Sequence, residues 1–313
     1  MDNYHPQPQQ RGHYSPLRYP GGKGKIARFM RDIIRLNDLS DGRYVEPYAG
    51  GAAVAWELLI TGIVRRVEIN DVSRPVYAFW NSVLNRTDAL CNMIEKTSVT
   101  VSIWDQQRDV FRRHETADEL ELGFAFFFLN RTNRSGILNG GIIGGREQAG
   151  LWKIDARYNR EQLVCRIRKI ASHRSRIKLT MMDAQEFISE RSKDWKLKTL
   201  VYIDPPYFEK GRYLYYDAYE PHDHASIADS IHDMVGVNWI VSYDDVRPIH
   251  GLYQDNSWLQ YTLNYSARRS MRGREAMFFS DNIKVPNTCT PLIEIDRDIG
   301  CLPRPVNERQ FAA

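Results

Sequence analysis

An α/β sheet domain interrupted by a mostly helical insertion is the fold this sequence predicts. A strand, a glycine turn, a helix and a second strand follow one another between Tyr44 and Ile69, within roughly the 30 residues of a βαβ unit. Strand-like segments then stop over residues 76–175 and return in alternation with helical ones. The 313 residues, at roughly 150 per domain, fit one large sheet domain with an insertion or two domains.

Each element has a local cause. Residues 1–16, rich in Gln, Pro, His and Tyr, read as a flexible tail. Ile26, Phe29, Met30, Ile33 and Ile34 follow one face of a helix. Tyr44-Val45-Glu46 is a short strand stopped by Pro47. Gly50 and Gly51 make a turn, and Ala52 to Leu59, free of Gly and Pro, favours helix. Val64 to Ile69, rich in β-branched residues, is the next strand. Periodic apolar segments around 75–84, 103–114 and 119–130 predict helices, with Trp80 and Phe126-Phe127-Phe128 as core of the insertion. Five glycines between Gly136 and Gly145 predict a hairpin or an exposed loop. A helix with a basic face follows from Arg160 to His173. Strands at Ile177–Met182, Leu200–Ile203, Trp239–Ser242 and Met277–Phe279 complete the sheet. After residue 285, Pro286, Pro291, Pro303 and Pro305 read as a loosely packed tail.

Composition excludes several classes. Hydrophobic residues are 42% and charged residues 26%, which rules out a fully disordered chain. The longest apolar run, Phe124 to Leu129, cannot span ~30 Å of hydrocarbon, so no membrane partner is expected. The N-terminus lacks the apolar core of a secretory signal, which predicts a cytoplasmic protein. A net charge of +4 leans weakly toward an anionic partner. Cys91, Cys165, Cys289 and Cys301 form no Cys-x-x-Cys pair, so neither a disulfide framework nor a zinc site is expected. His222-Asp223-His224 looks like a ligand pair but heads a predicted helix, where Asp223 suits the first turn; no metal is expected.

Two segments carry chemistry. In Glu46-Pro47-Tyr48-Ala49-Gly50-Gly51-Ala52, glycines between strand and helix let a nucleotide-like ligand approach the backbone. Glu68, at the end of the next strand, could accept hydrogen bonds from ribose hydroxyls. The turn lacks a full Gly-x-Gly-x-x-Gly, which argues against a dehydrogenase. In Leu200 to Phe208, an apolar strand runs into Asp204-Pro205-Pro206-Tyr207. The prolines fix the backbone, so the Asp204 carboxylate and an adjacent carbonyl are held at the carboxyl edge of the sheet. Two such acceptors suit methyl transfer to an aromatic amine. Holding both amino hydrogens draws the nitrogen toward tetrahedral geometry and stabilises the positive charge that develops there. Tyr207 would stack on the base.

The chain resembles the Dam-type DNA adenine-N6 methyltransferases, the class whose target-recognition insertion precedes Asp-Pro-Pro-Tyr. The resemblance covers roughly residues 16–285 and rests on motifs in order: Leu17 to Lys23, Val45 to Gly51, Glu68 to Asp71, Asn130-Arg131 with Ser135-Gly136, Asp183 to Phe187, Asp204 to Tyr207, Val241 to Asp245, and Tyr265 to Phe279. It implies a Rossmann-like S-adenosylmethionine-dependent methyltransferase sheet with an inserted, mostly helical target-recognition domain. The expected boundaries are a tail at 1–16, a discontinuous catalytic domain at 17–75 and 176–285, the insertion at 76–175, and a C-terminal tail at 286–313.

What the resemblance implies falls on individual positions. Asp204, Pro205, Pro206 and Tyr207 match the catalytic segment. Tyr19, Lys23, Tyr48, Gly50, Gly51, Glu68, Asp183 and Asp204 match positions around S-adenosylmethionine, Glu68 as the ribose-binding acid. Arg18, Asn130, Arg131, Arg134, Ile137, Leu138 and Asn139 match DNA-facing positions. The implied activity is site-specific transfer of the methyl group to N6 of a flipped-out adenine in double-stranded DNA.

Adenine must leave the stack to reach Asp204, and Ile137 with Leu138, or Ile142 with Ile143, could wedge into the gap. Arg131, Arg134, Arg146, Arg157 and Arg160 could contact phosphates. Arg268, Arg269, Arg272 and Arg274 read as a basic loop at the rim. Two departures stand out: Ala52 replaces the second glycine of the usual Gly-x-Gly, and the segment after Gly136 lacks base-reading arginines. Cytosine N4, an RNA amine, or a DNA-binding subunit without turnover are the alternatives. A cognate restriction or defence partner stays open, and a monomer suffices for the chemistry.

Overall fold

In the computed structural model, the described residues are 14–18, 23–195, 198–209, 219–263, 274–287 and 292–298. Eight strands form one sheet in the order β3-β2-β1-β4-β5-β7-β6-β8. They are β1 (Arg43–Glu46), β2 (Arg66–Asn70), β3 (Ile177–Thr180), β4 (Thr199–Ile203), β5 (Asn238–Asp244), β6 (Ser257–Leu263), β7 (Glu275–Phe279) and β8 (Leu292–Asp298). The five strands β1 to β5 are parallel, and β7, β6 and β8 pair antiparallel in turn. Strand order runs outward from β1 in one direction and from β4 in the other. Between the carboxyl ends of β1 and β4 lies the topological switch point, where open α/β sheets bind ligands.

Alternating side chains give the sheet two buried faces. Tyr44, Val67, Ile69, Leu200, Tyr202 and Ile240 pack toward α1 (Ala27–Leu36) and α2 (Ala53–Ile60). Val45, Val201, Ile203, Val241 and Tyr243 face α8 (Ala184–Arg191), α9 (Pro221–His232) and α10 (Arg247–Leu252). Burial on both faces is the physical reason these short strands read as continuous apolar runs.

The helical segment consists of α3 (Arg74–Asn85), α4 (Thr87–Lys96), α5 (Val101–Arg112), α6 (Glu119–Thr132) and α7 (Arg160–Ala171). α6 is the buried centre of this segment. Asp118 caps its first turn, and Phe124 to Leu129 are buried all round. Phe79 of α3 stacks on Phe127 at 5.6 Å. The same apolar cluster continues from these helices into α1, α2 and one face of the sheet. Residues 137–159 hold no helix or strand. Their link to α6 is a single antiparallel bridge, Asn133 to Ile142, so the loop alternative is the one adopted there.

Two elements depart from the sequence expectation. Residues after 285 are not all loose tail, because β8 pairs with β6 through a bulge at Gln260/Tyr261. The alternation Leu292-Ile293-Glu294-Ile295-Asp296 is the strand signal that the flanking prolines obscured. β6 was also unanticipated, although Ser257 to Leu263 alternates Trp258, Gln260 and Thr262 with Leu259 and Tyr261. No described helix is long and apolar enough to cross a membrane.

Candidate active site

Three acids stand at the carboxyl ends of β1, β2 and β4. Glu46 ends β1 and is buried. Burial pushes its carboxyl up to about 8. The Tyr44 hydroxyl and the Ala55 N–H oppose the shift, and the nearby charge of Asp204 adds to it. Asp71 follows β2 and accepts from the Gly50 N–H at 2.8 Å and the Ser73 N–H at 3.0 Å. Burial pushes its carboxyl to about 6, against those two hydrogen bonds. Asp204 follows β4 and accepts from Ser242 Oγ at 2.7 Å, while Ser242 Oγ and the Tyr202 hydroxyl lie 2.7 Å apart. A hydroxyl chain between neighbouring strands therefore fixes the Asp204 rotamer.

The buried Glu46 proton gives a pH dependence. Between about pH 4.5 and 8 the folded state keeps a proton that the unfolded chain has released, so stability falls as pH rises through that window. Glu46→Gln is expected to be more stable than wild type at pH 8 by about 2–4 kcal/mol, with the advantage vanishing near pH 4.5. Melting curves across this range check it, and parallel curves for the two proteins would contradict it.

The glycine turn is braced from three sides. Asp71 holds the Gly50 N–H, Trp80 Nε1 donates to the Gly50 carbonyl at 2.8 Å, and Ser15 Oγ donates to the Gly51 carbonyl at 2.7 Å. Trp80, expected as core of the insertion alone, packs on Trp56 of α2 at 4.8 Å and so supports this turn. Ala52 sits at the N-cap of α2 with φ +45°, in the left-handed region that disfavours a Cβ. Ala52→Gly is expected to raise stability by up to about 1 kcal/mol, the relieved strain exceeding the extra entropy of an unfolded glycine. Thermal melting checks this; a clear loss of stability would show that the alanine methyl packs productively.

Asn70, at the end of β2, ties three strand ends together. Its Nδ2 donates to the carbonyls of Pro47 (3.1 Å) and Met182 (3.0 Å), and its Oδ1 accepts from Thr180 Oγ1 (2.8 Å) and Met182 N–H (3.0 Å). No separate role for Asn70 was legible in the sequence. A buried Asn at a strand end, directly before an acid, was the available signal. Asp244, buried at the end of β5, accepts the Phe208 and Glu209 N–H groups at 2.9 Å each, and so pins the segment just after Asp204-Pro205-Pro206-Tyr207. Pro205 is buried, and Pro206 and Tyr207 are half-buried beside the same strand ends.

Other expected positions divide. The Tyr48 and Tyr219 hydroxyls are 2.8 Å apart. Asp183 caps α8 through the Gln185 and Glu186 N–H groups, and its charge is felt at both tyrosines. Tyr48 and Asp183 thus lie together beyond the ends of β1 and β3. Glu68 does not join them. It sits mid-strand in β2, facing α8. There it accepts from Arg191 Nε at 2.8 Å and Trp195 Nε1 at 3.3 Å and pairs with Lys178 and Arg43. These cations hold its carboxyl below the usual range despite burial. Strand β2 ends at Asn70, one residue beyond the expected Ile69, and the acid that follows it is Asp71. Tyr19 lies outside the described residues, as do Tyr265, Arg268, Arg269 and Arg272. Lys23 opens a 3-10 turn, Lys23–Ile26, ahead of α1.

The positions expected to face DNA form a scaffold around residues 15–18. Asn130 is buried. Its Oδ1 accepts the Arg18 N–H at 2.7 Å, and its Nδ2 donates to the Arg18 carbonyl at 2.7 Å and the Gly136 carbonyl at 3.0 Å. Arg18 Nη1 donates to the Asn133 carbonyl at 2.9 Å, and Arg131 Nε donates to the Arg157 carbonyl at 2.7 Å. Gly136 must be glycine: at φ +77° its Cβ would lie 2.5 Å from the Arg18 carbonyl oxygen. Ile142 is buried, Leu138 packs against the core, and Ile137 is half-buried, whereas Arg134 and Asn139 are exposed. His224 is a core histidine, 3.1 Å from the Tyr243 hydroxyl, and no metal-binding cluster occurs among the described residues.

The chain is similar in sequence and in structure to several methyltransferases. Type II methyltransferase M.MjaIII of Methanocaldococcus jannaschii is 23% identical over 224 residues, covering 66% of this chain and 73% of its own. Among solved structures, a SAM-dependent methyltransferase from Agrobacterium tumefaciens aligns with a TM-score of 0.40 and 9% identity over 81% of this chain, which spans 60% of that structure's length. The rRNA methyltransferase aviRa from Streptomyces viridochromogenes aligns with a TM-score of 0.35 and 11% identity over 87% of this chain and 92% of its own. Residues 19–267 match the D12 class of N6 adenine-specific DNA methyltransferases, and the chain belongs to that family.

Proposed function

We propose that the cleft between the ends of β1 and β4 methylates adenine N6 in double-stranded DNA, with Asp204 as the group that holds the target amine. The observation that carries the reading is the Tyr202–Ser242–Asp204 hydrogen-bond chain at the switch point, next to the braced glycine turn. S-adenosylmethionine supplies an activated methyl group on a sulfonium. The donor set suits it: the Asp204 carboxyl stands at the end of β4 beside the glycine turn, which admits close backbone approach.

Gly50, Gly51, Tyr48 and Asp183 would hold this cofactor, with Tyr19 and Lys23 from the preceding segment. Asp71, rather than Glu68, takes the ribose-binding role, because Glu68 is saturated by cations away from the cleft while Asp71 ends β2 beside Gly50. Asp204 and the Pro205 carbonyl accept the two amino hydrogens of adenine. Tyr207 stacks on the base, worth about 1–3 kcal/mol. The base reaches them by flipping out, at a cost of a few kcal/mol.

Residues 76–175 serve as the target-recognition region, with Arg18, Arg134 and Asn139 toward the DNA and Arg131 bracing the Arg157 backbone behind them. Arg157 and Arg160 belong with phosphate contacts that position without reading sequence. A cytoplasmic location, where methyl donor and DNA meet, goes with this reading. The test is transfer of labelled methyl from S-adenosylmethionine to unmethylated duplex DNA, with RNA offered in parallel. Labelling of DNA and not RNA is expected; labelling of RNA alone would overturn the acceptor.

A further inference from the structure

Leu151 and Trp152 protrude from the loop between α6 and α7 with 88% and 60% of their surfaces exposed. Among the described residues, no other two exposed large apolar side chains are neighbours in the chain. Trp152 is also the one exposed tryptophan of the seven; the other six are buried or half-buried. Two adjacent apolar side chains left in water in an otherwise well-packed protein mark a contact site.

The loop that carries them is rigid by construction. Gln148 Nε2 donates to the carbonyls of Ile143 (2.9 Å) and Gly145 (2.6 Å), and its Oε1 accepts the Ile154 N–H at 2.8 Å. Arg146 anchors the loop to α5 by a two-pronged bond to Asp105, both contacts 2.9 Å. Gly144, at φ +84°, lies so close to the Trp152 carbonyl that a Cβ would stand 2.7 Å from the oxygen. The protrusion is thus held in place before any partner arrives, which lowers the ordering cost of binding.

Its surroundings are cationic. The Arg157 guanidinium lies over the indole at 5.4 Å from the ring centroid, and the Arg157 carbonyl is gripped by Arg131. Arg131 is crowded by Arg18, Arg157 and Arg166. Burial and this like charge lower its guanidinium to about 9, and no described carboxylate pairs with any of the four. An exposed indole under the Arg157 guanidinium, with the Arg131, Arg18 and Arg166 group behind the Arg157 backbone, matches a polyanion whose interior is a stack of aromatic rings.

We propose that Leu151 and Trp152 are the wedge of this protein, entering the base stack of duplex DNA while the neighbouring arginines grip the flanking phosphates. The inference rests on the DNA-methylating reading above and names the residues that meet the bases. It takes the role expected of Ile137, Leu138, Ile142 and Ile143, of which Ile142 is buried, Leu138 packs against the core, and Ile137 and Ile143 are half-buried. Side-chain stacking of this kind is tolerant of sequence and independent of counterion release.

The test uses the full chain and sheared unmethylated genomic duplex DNA as probe, following intrinsic fluorescence, affinity and sedimentation for wild type, Trp152→Ala and Trp152→Phe. On saturation the wild-type emission is expected to fall, and the fall is absent in Trp152→Ala. Affinity is expected to drop about 10-fold or more in Trp152→Ala, with partial recovery in Trp152→Phe and an unchanged salt slope. An exposed site predicts melting temperatures equal to wild type. DNA binding with Trp152 emission unmoved and wild-type affinity in both variants overturns the wedge while leaving the function standing. A wild-type dimer that Trp152→Ala dissociates, at unchanged DNA affinity, assigns the patch to a second copy instead. Failure of the wild type to bind duplex DNA removes the functional reading and the wedge with it.

Discussion

Asp204→Ala abolishes methyl transfer, with an expected loss of at least about 10³-fold in turnover, and leaves duplex binding largely intact. The argument is electrostatic and geometric. A flipped adenine offers a nitrogen whose lone pair is delocalised into the ring, and only acceptors fixed at both amino hydrogens turn that lone pair toward the methyl donor. Asp204 is fixed by Ser242, which is itself bonded to Tyr202, so the carboxylate is oriented before substrate arrives. Ser242→Ala should therefore reduce turnover by a smaller factor, about 10-fold, because the carboxylate remains but its rotamer is freed. A second signature separates loss of charge from loss of fold. The Asp204 charge helps raise the Glu46 carboxyl, so Asp204→Ala lowers the pH at which Glu46 titrates. Single-turnover assays and a pH–stability series check both. Full activity in Asp204→Ala would remove this residue from the chemistry.

Asn130→Ala carries the largest expected structural effect. Its buried amide closes two partly buried hydrogen bonds with the Arg18 backbone and a third, buried one with the Gly136 carbonyl. Truncation strands a buried N–H and two carbonyls, at a cost of about 2–4 kcal/mol. The damage should not stay local. Residues 15–18 run from Asn130 to the glycine turn, where Ser15 holds the Gly51 carbonyl. Loosening them is expected to weaken cofactor binding as well as to lower the melting temperature. Asn130→Asp keeps the acceptor for Arg18 N–H and loses the donor, so it should fall between wild type and Asn130→Ala. Calorimetry with a cofactor titration decides the matter. An unchanged melting temperature and cofactor affinity, with DNA affinity alone lost, would show that Asn130 touches DNA directly.

The parts of the fold written in short-range patterns were legible in the sequence. The βαβ unit around Gly50, the apolar run into Asp204 and the helical nature of α3, α5, α6 and α7 follow from periodicity, glycine and proline. The long-range partners were not. β6 and β8 depend on antiparallel pairing across distant segments, and prolines near β8 hid its alternation. Glu68 reads as a strand-end acid in the sequence, whereas β2 runs on to Asn70 and places Glu68 mid-strand among Arg191, Lys178 and Arg43. Asn130 and Arg131 matched DNA-facing positions, yet their side chains are spent on backbone carbonyls and N–H groups. Composition cannot reveal which polar groups a buried turn consumes. Burial is equally hidden from composition: Ile142 is buried and Ile137, Leu138 and Ile143 are half-buried, whereas Leu151 and Trp152 are exposed.

The central claim is that the β1–β4 cleft delivers a methyl group to adenine N6. The most direct measurement is nucleoside mass spectrometry of unmethylated genomic duplex DNA after incubation with the protein and labelled S-adenosylmethionine. Labelled N6-methyldeoxyadenosine in the wild-type reaction, and none with Asp204→Ala, is the predicted result. Labelled N4-methyldeoxycytidine, or an equal adenine signal from Asp204→Ala, would contradict it.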